Sequence, residues 1–167
     1  MTVSDNIILD NLEVEQKIRR IAFQIYESNS NEKEIIIAGI VDNGYLFAEK
    51  IYTILSEISP LKIQLCKVFI DKKNPIKAIT TSLTKDEYKN KSLVLVDDVL
   101  NSGTTLIYAV KHFLEVPLKR FKTAVLVNRN HKKYPVKSDF KGISLSTSIK
   151  EHVVVEFNKN KTLVYLT

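Results

Sequence analysis

Apolar residues recur at the spacing of an amphipathic helix in three parts of the chain. These are residues 10–29, 45–58 and 105–115. The first helix begins with Asp10 and, three residues later, Glu13, a pair typical of a capping box. Pro60 follows the second segment and is expected to end it.

Short apolar runs rich in isoleucine, valine and leucine lie between and after these helices and predict strands. They occupy residues 34–40, 61–70, 92–97, 121–128, 153–157 and 162–166. Strands that alternate with helices predict an α/β fold, a mainly parallel sheet with helices on both faces. The length suits one domain over residues 1–167.

Polar segments follow three of the predicted strands and begin at Val41, Asp97 and Asn128. In sheets of this kind, ligands bind beyond the carboxyl ends of the strands, where such segments converge. The third segment, residues 128–141, is basic and contains Pro135, and we interpret it as a long functional loop.

Charge and composition narrow the function without fixing it. The net charge of +6 suits an anionic ligand, either a phosphorylated metabolite or a nucleic acid. No apolar run approaches the roughly 20 residues that span a bilayer, and the first ten residues lack a secretory pattern. Cys66, the single cysteine, is expected to be a buried thiol, and no His/Cys cluster suggests zinc. These features favour the cytoplasm.

The chemistry is concentrated in residues 93–105, where a hydrophobic strand ends in Asp97 and Asp98. A short polar turn containing Gly103 follows, and a helix starts directly after it. Unpaired N–H groups at a helix N-terminus favour phosphate, and glycine permits close backbone approach. Hydroxyl donors are added by Ser102, Thr104 and Thr105.

Two carboxylates beside a phosphate are unfavourable unless they bind hydroxyl groups or a metal. A pentose offers vicinal hydroxyls, and Mg²⁺ on a diphosphate offers a hard cation. Either aspartate alone could be an ordinary loop residue, with Asp98 capping a turn. Together with the phosphate loop, however, the pair favours a sugar phosphate.

The same segment, LVLVDDVLNSGTT, resembles the phosphoribosyl-diphosphate (PRPP) signature of type I phosphoribosyltransferases. Four stretches, residues 18–22, 124–131, 134–142 and 147–155, resemble one branch of that family, the bifunctional pyrimidine-operon attenuator/uracil phosphoribosyltransferases. The resemblance covers most of the chain. It implies transfer of the ribosyl 5-phosphate of PRPP to a nucleobase, with uracil favoured, diphosphate released and Mg²⁺ on the PRPP.

The resemblance also implies roles for individual residues. Asp97 and Asp98 would hold the ribose hydroxyls, directly or through metal-bound water. The 5-phosphate would be held by Asn101, Ser102, Gly103, Thr104 and Thr105. The diphosphate would face Val41, Asp42, Asn43 and Gly44. The base would lie near Arg129, His131, Phe140 and Lys141. A homodimer or larger homo-oligomer is also implied.

Three departures from the family pattern affect this interpretation. Asp42 stands where a basic residue is usual, and a carboxylate repels diphosphate unless a metal intervenes. Lys72 and Lys73 follow the third strand, in a loop shorter than is usual in the family. They either replace the positive charge that is missing at Asp42 or form a solvated turn. Asn101 replaces the aspartate of purine-specific relatives and cannot act as a general base, which favours a pyrimidine.

Other functions remain open at this point. One is a PRPP- or nucleotide-sensing regulator that binds RNA, with weak or no catalysis. Its phosphate contacts would come from Lys17, Arg19, Arg20, Lys119, Arg120 and Lys122. Another is a purine phosphoribosyltransferase of the hypoxanthine type.

Overall fold

The computed structural model describes residues 6–148 and 150–167. Its strands are β1 (Ile7–Leu9), β2 (Glu34–Ile40), β3 (Lys62–Phe69), β4 (Thr80–Thr81), β5 (Ser92–Leu100), β6 (Arg120–Arg129), β7 (Phe140–Leu145), β8 (Val153–Phe157) and β9 (Thr162–Leu166). Its helices are α1 (Asn11–Ser28), α2 (Asn43–Ile58), α3 (Lys85–Tyr88) and α4 (Thr104–Phe113).

Six strands form the main sheet in the order β4-β3-β2-β5-β6-β7. All neighbouring pairs are parallel except β3 and β4. The central strands β2 and β5 are buried over most of their length, as their continuous apolar sequences require. The predicted α/β fold with a mainly parallel sheet is therefore confirmed.

Helices cover both faces of this sheet because successive strand residues point to opposite sides. Ile35 and Ile37 of β2 pack in a core with residues of α1 and α2. Ile36 and Ala38 pack in a second core with residues of α4 and with Tyr88 of α3. The two cores fix the helices relative to the carboxyl edge of the sheet.

Helix α1 begins at the predicted capping box. The Glu13 backbone N–H donates to Asp10 Oδ1, and the Asp10 N–H donates to Glu13 Oε2, both at 2.9 Å. At the other end, buried Asn29 donates from Nδ2 to the Ile25 carbonyl at 2.8 Å and accepts from Ser92 Oγ at 2.6 Å. The helix is thereby joined to the start of β5.

A second, smaller sheet is antiparallel and has the order β1-β9-β8. Val155 and Val164 of this sheet are buried against the core that contains α1 and α2. The bounds predicted for β8 and β9 are confirmed. Their separation from the main sheet was not foreseen, and it carries Val153 to the carboxyl edge of that sheet.

The structure corrects three other element predictions. Strand β5 continues through the two aspartates to Leu100, because its pairing with β6 extends to Leu100 opposite Asn128. The predicted loop at residues 128–141 contains the end of β6 and the start of β7, so its irregular part is shorter. The short elements β1, β4, α3 and β7 were not predicted.

Candidate active site

The two adjacent aspartates lie near the end of β5. Asp97 is buried, with 5% of its surface exposed, and Asp98 is half-buried. The Asp98 backbone N–H donates to Asp97 Oδ1 at 2.9 Å, and the Val99 N–H donates to Asp98 Oδ1 at 2.8 Å. Burial, and then the charge of Asp98, raise the pKa of Asp97 to about 8. The Lys72 ammonium, 3.9 Å from Asp97 Oδ1, offsets only part of this rise, so the carboxyl group remains largely protonated at neutral pH until a further cation approaches it.

The phosphate loop predicted at residues 101–105 connects β5 to α4. Gly103 takes the N-cap position with φ +85°, and an added Cβ would lie 2.6 Å from Val136 Cγ1. Both facts favour glycine there. Ser102 Oγ and Thr104 Oγ1 lie 2.9 Å apart, beside the N–H groups of the first turn of α4. The turn has the hydroxyl and backbone donors that an anion requires.

The basic segment after β6 contacts the phosphate loop through backbone hydrogen bonds. The N–H groups of Lys133 and Tyr134 both donate to the Ser102 carbonyl, at 2.7 and 3.1 Å. The segment predicted to be functional thus holds the phosphate loop in place.

A cavity of about 300 Å³ lies between the aspartates and the phosphate loop. Asp97 and Asp98 line it together with residues 99–106, Lys72 and Val153. All seven residues predicted to contact the ribose and its 5-phosphate are therefore brought to one cavity.

A second cavity of about 410 Å³ adjoins the first and shares Lys72 and Asp98 with it. Val41, Asp42 and Asn43, three of the four residues predicted on the diphosphate side, line this second cavity. The peptide bond between Val41 and Asp42 is cis.

The first turn of α2 packs directly on the aspartate pair. Asn43 Nδ2 donates to Asp98 Oδ2 at 3.2 Å and to the Val155 carbonyl at 2.9 Å. A Cβ on Gly44 would lie 2.9 Å from Asp97 Oδ1, so only glycine permits this approach. Gly44 thus allows α2 to pack against Asp97, and Asn43 connects Asp98 to the smaller sheet through its two hydrogen bonds.

Arg129 occupies the end of β6 and is 5% exposed. Its Nη1 donates to Asn101 Oδ1 at 3.0 Å, and its Nε and Nη2 donate to Thr147 Oγ1 at 3.0 and 2.8 Å. Nη2 also donates to the carbonyls of Ser148 and Glu151. His131 Nε2 lies 2.7 Å from the Thr147 carbonyl. Arg129 and His131, two of the four residues predicted on the base side, therefore hold the chain around Thr147. Neither is among the residues that line the two cavities.

The other two residues predicted on the base side, Phe140 and Lys141, lie at the amino end of β7. They are in register with Ala124 and Val125 of β6. Phe140 packs against the core beside α1 and α2, and Lys141 is exposed. Neither is among the residues lining the two cavities, so the structure does not bring them to the site.

The sequence analysis missed Val153 as a lining residue of the first cavity. Valine in a short strand looks like any other core residue, so no local signal could have identified it. Lys72 was noted only as half of a lysine pair, and the structure separates it from Lys73 by placing it at both cavities.

Within residues 6–148 and 150–167, no group of three or more His, Cys, Asp or Glu residues could hold a metal. Asp97 and Asp98 nevertheless supply the oxygen ligands that Mg²⁺ prefers, and the pKa of Asp97 stays raised to about 8 although Lys72 lies nearby, so the pair can still take a further cation. The residues present therefore fit a metal that takes most of its ligands from substrate and water.

Two further sequence expectations can be compared with the fold. Cys66 is a buried free thiol, as predicted. In the part of the chain that the structure describes, none of the helices has the length and apolarity needed to cross a membrane.

Comparison with known proteins identifies the family. The family model described as phosphoribosyl transferase domain matches residues 4–160. The bifunctional protein PyrR of Streptococcus agalactiae is 31% identical over 154 residues, which cover 89% of this chain and 88% of that protein. The protein of the same name from Streptococcus pneumoniae is 31% identical over 157 residues, covering 91% and 90%.

Solved structures agree on the fold. A hypoxanthine phosphoribosyltransferase of Trypanosoma cruzi superposes with a TM-score of 0.77 at 12% identity, covering 96% of this chain and 95% of that one. A hypoxanthine-guanine phosphoribosyltransferase of Bacillus anthracis gives 0.72 at 16% identity, covering 84% and 82%. Because these identities are low, they establish the fold alone. The family model and the PyrR relatives confirm the resemblance seen in the sequence: the chain belongs to the phosphoribosyltransferase family and is a phosphoribosyltransferase.

Proposed function

We propose that this phosphoribosyltransferase transfers the ribosyl 5-phosphate of PRPP to uracil and releases diphosphate. The observation that carries the proposal is the cavity in which the aspartate pair and the phosphate loop lie side by side. This reaction would salvage a free pyrimidine base. A cytoplasmic location is part of the proposal and is supported by the single buried thiol, Cys66.

Each part of the site has a proposed role. Asp97 and Asp98 bind the ribose 2- and 3-hydroxyls, directly or through water on the metal. Residues 101–105 bind the 5-phosphate through hydroxyls and the N–H groups of α4. The turn at residues 41–44 faces the diphosphate in the adjoining cavity.

The proposed reaction requires little covalent chemistry from side chains. Breaking the bond between the ribose C1 and the diphosphate develops positive charge on the ribose and negative charge on the diphosphate. The ring nitrogen of uracil forms the new bond to C1, and the proton that it loses leaves with the diphosphate. Mg²⁺ on the PRPP, when bound, would neutralise the diphosphate charge. The chain holds the ribose and its phosphate in place while the base approaches, and such positioning lowers the barrier. The buried carboxylates also lie where positive charge develops.

The preference for uracil is supported by Asn101, which lines the cavity beside the phosphate loop. Arg129 can only donate hydrogen bonds, so the amide oxygen of Asn101 must face it, as its 3.0 Å distance indicates. The amide nitrogen is left as the group available to a ligand. It can donate to a carbonyl oxygen of uracil, whereas it cannot act as the general base expected of the aspartate that purine-specific relatives carry at this position.

The alternative of an RNA-binding regulator has weaker support. The net charge of +6 and the resemblance to the attenuator branch are consistent with it. However, some of the basic residues predicted to contact RNA phosphates have partners within the chain. Arg20 donates to the Gly142 carbonyl at 2.6 Å, and Lys119 pairs with Glu32 at 2.7 Å. The enzyme therefore remains the leading proposal.

The aspartate pair gives the first test. We expect the double variant Asp97→Asn/Asp98→Asn to stay folded and to lose PRPP-dependent diphosphate release with uracil, because amides bind cations and hydroxyl donors less well than carboxylates. An assay for released diphosphate measures activity, and circular dichroism measures folding. Glu57→Gln/Asp86→Asn, which changes two exposed carboxylates, serves as the control. Normal turnover by the folded double variant would refute the site assignment.

Exchange of Asn101 for aspartate tests base recognition. Aspartate pairs with Arg129 and offers only acceptors, so kcat/KM for uracil should fall roughly 10- to 100-fold relative to hypoxanthine. The KM for PRPP should rise by the same factor with either base, because the new carboxylate stands in the loop proposed to bind the 5-phosphate, so the ratio between the two bases isolates base recognition. Asn130→Asp makes the same charge change on an exposed neighbouring residue and should leave the ratio unaltered. An unaltered ratio in Asn101→Asp itself would remove Asn101 from base recognition.

The raised pKa of Asp97, about 8, predicts a pH dependence of stability in the substrate-free protein. Between the unfolded pKa and about 8, the folded state binds more protons than the unfolded state, so the free energy of unfolding falls as pH rises. From pH 5 to 8 the slope should reach at most about 1.4 kcal/mol per unit. Urea denaturation should show a flatter profile for Asp97→Asn, whereas Glu57→Gln should follow the wild type. Parallel profiles for Asp97→Asn and wild type would contradict the assignment.

A further inference from the structure

The two adjoining cavities carry an unbalanced charge. Asp97 and Asp98 line the first cavity, and Asp42 and Asp98 line the second. Among the described residues that line either cavity, Lys72 is the single lysine, arginine or histidine, and it lines both. Three carboxyl groups therefore face one cation in a site proposed to receive a diphosphate, the most highly charged part of the substrate.

Lys72 stands at the junction of the two cavities, on the loop that follows β3. Its Nζ lies 3.9 Å from Asp97 Oδ1, and its side chain is 47% exposed whereas that of Asp97 is 7% exposed. A distance of 3.9 Å is too long for a hydrogen bond, so the ion pair is loose. A half-exposed lysine with a flexible stem can leave such a contact for another anion.

Asp71 organises the turn around Lys72, and its carboxylate accepts hydrogen bonds from groups other than Lys72. Asp71 Oδ1 accepts from the N–H groups of Lys73 and Asn74 at 3.0 and 3.1 Å. Its Oδ2 accepts from Lys77 Nζ at 3.2 Å. Asp71 therefore defines the turn without engaging Lys72. Lys73, from the same turn, is not among the residues that line the cavities.

We propose that Lys72 binds the diphosphate of PRPP and changes partner when the substrate arrives. Before binding it lies beside Asp97, and afterwards it pairs with diphosphate oxygens and leaves Asp97 to the ribose. It thus supplies the positive charge that the turn at residues 41–44 lacks, since that turn carries Asp42. The inference rests on the proposed function, because it assigns a residue to the diphosphate side of the same site.

The test compares three ligands by isothermal titration calorimetry: PRPP with Mg²⁺, inorganic diphosphate with Mg²⁺, and UMP. UMP carries a 5-phosphate and a base but no diphosphate. Lys72→Met should weaken PRPP and diphosphate roughly 10- to 100-fold, the effect of one charge-assisted contact, and leave UMP affinity unchanged. Lys72→Arg should retain most of the PRPP affinity, because it keeps the charge. Lys73→Met removes the same charge from the same turn and should leave all three affinities unchanged.

The outcomes separate the inference from the proposed function. An equal loss of UMP and PRPP affinity in Lys72→Met, or an equal effect of Lys73→Met, would show a general charge effect and overturn the inference. Unchanged PRPP affinity in Lys72→Met would also overturn the inference, but it would leave the proposed function intact. A wild-type protein that binds none of the three ligands would overturn the proposed function and the inference with it.

Discussion

The site depends on one unfavourable arrangement, two adjacent carboxyl groups at the end of a central strand with one of them buried. Burial and mutual repulsion raise the pKa of Asp97 to about 8, so the pair strongly favours an approaching cation or a hydroxyl donor. The surrounding structure maintains this arrangement. Gly44 allows α2 to pack on Asp97, and Asn43 donates a hydrogen bond to Asp98. A ligand that satisfies the carboxylates therefore binds a preformed site.

The parts that surround the aspartates come from distant positions in the sequence and are joined by buried polar contacts. Arg129 connects the end of β6 to Asn101 in the phosphate loop and to the chain that leads into β8. Through that chain it supports Val153, which lines the cavity. Arg129 thus positions Asn101 and the chain that leads into β8. The same bond orients Asn101, which links the support of the site to its proposed choice of base.

Much of the fold could be predicted from local sequence. Strong periodicity identified the central strands and long helices, and the sequence of residues 93–105 located the aspartates and phosphate loop together. Prediction failed where an element depends on distant partners. Strand β7 pairs with β6 and packs Phe140, Ile143 and Leu145 against the core that contains α1 and α2, and its start falls at the end of the segment that the sequence predicts as a loop. The separation of β8 and β9 from the main sheet has no local signal, and neither does the difference between Lys72 and Lys73.

The central claim is that this site transfers the ribosyl 5-phosphate of PRPP to uracil. It is tested most directly by measuring diphosphate release from PRPP and Mg²⁺ with uracil, hypoxanthine, guanine, adenine and orotate in turn. The account predicts turnover with uracil and little with the others, because Asn101 offers a donor and no general base. Turnover with hypoxanthine or guanine in place of uracil would contradict the choice of base. The absence of diphosphate release with all five bases, while PRPP or a nucleotide still binds, would contradict the proposed reaction and favour a nucleotide-sensing regulator.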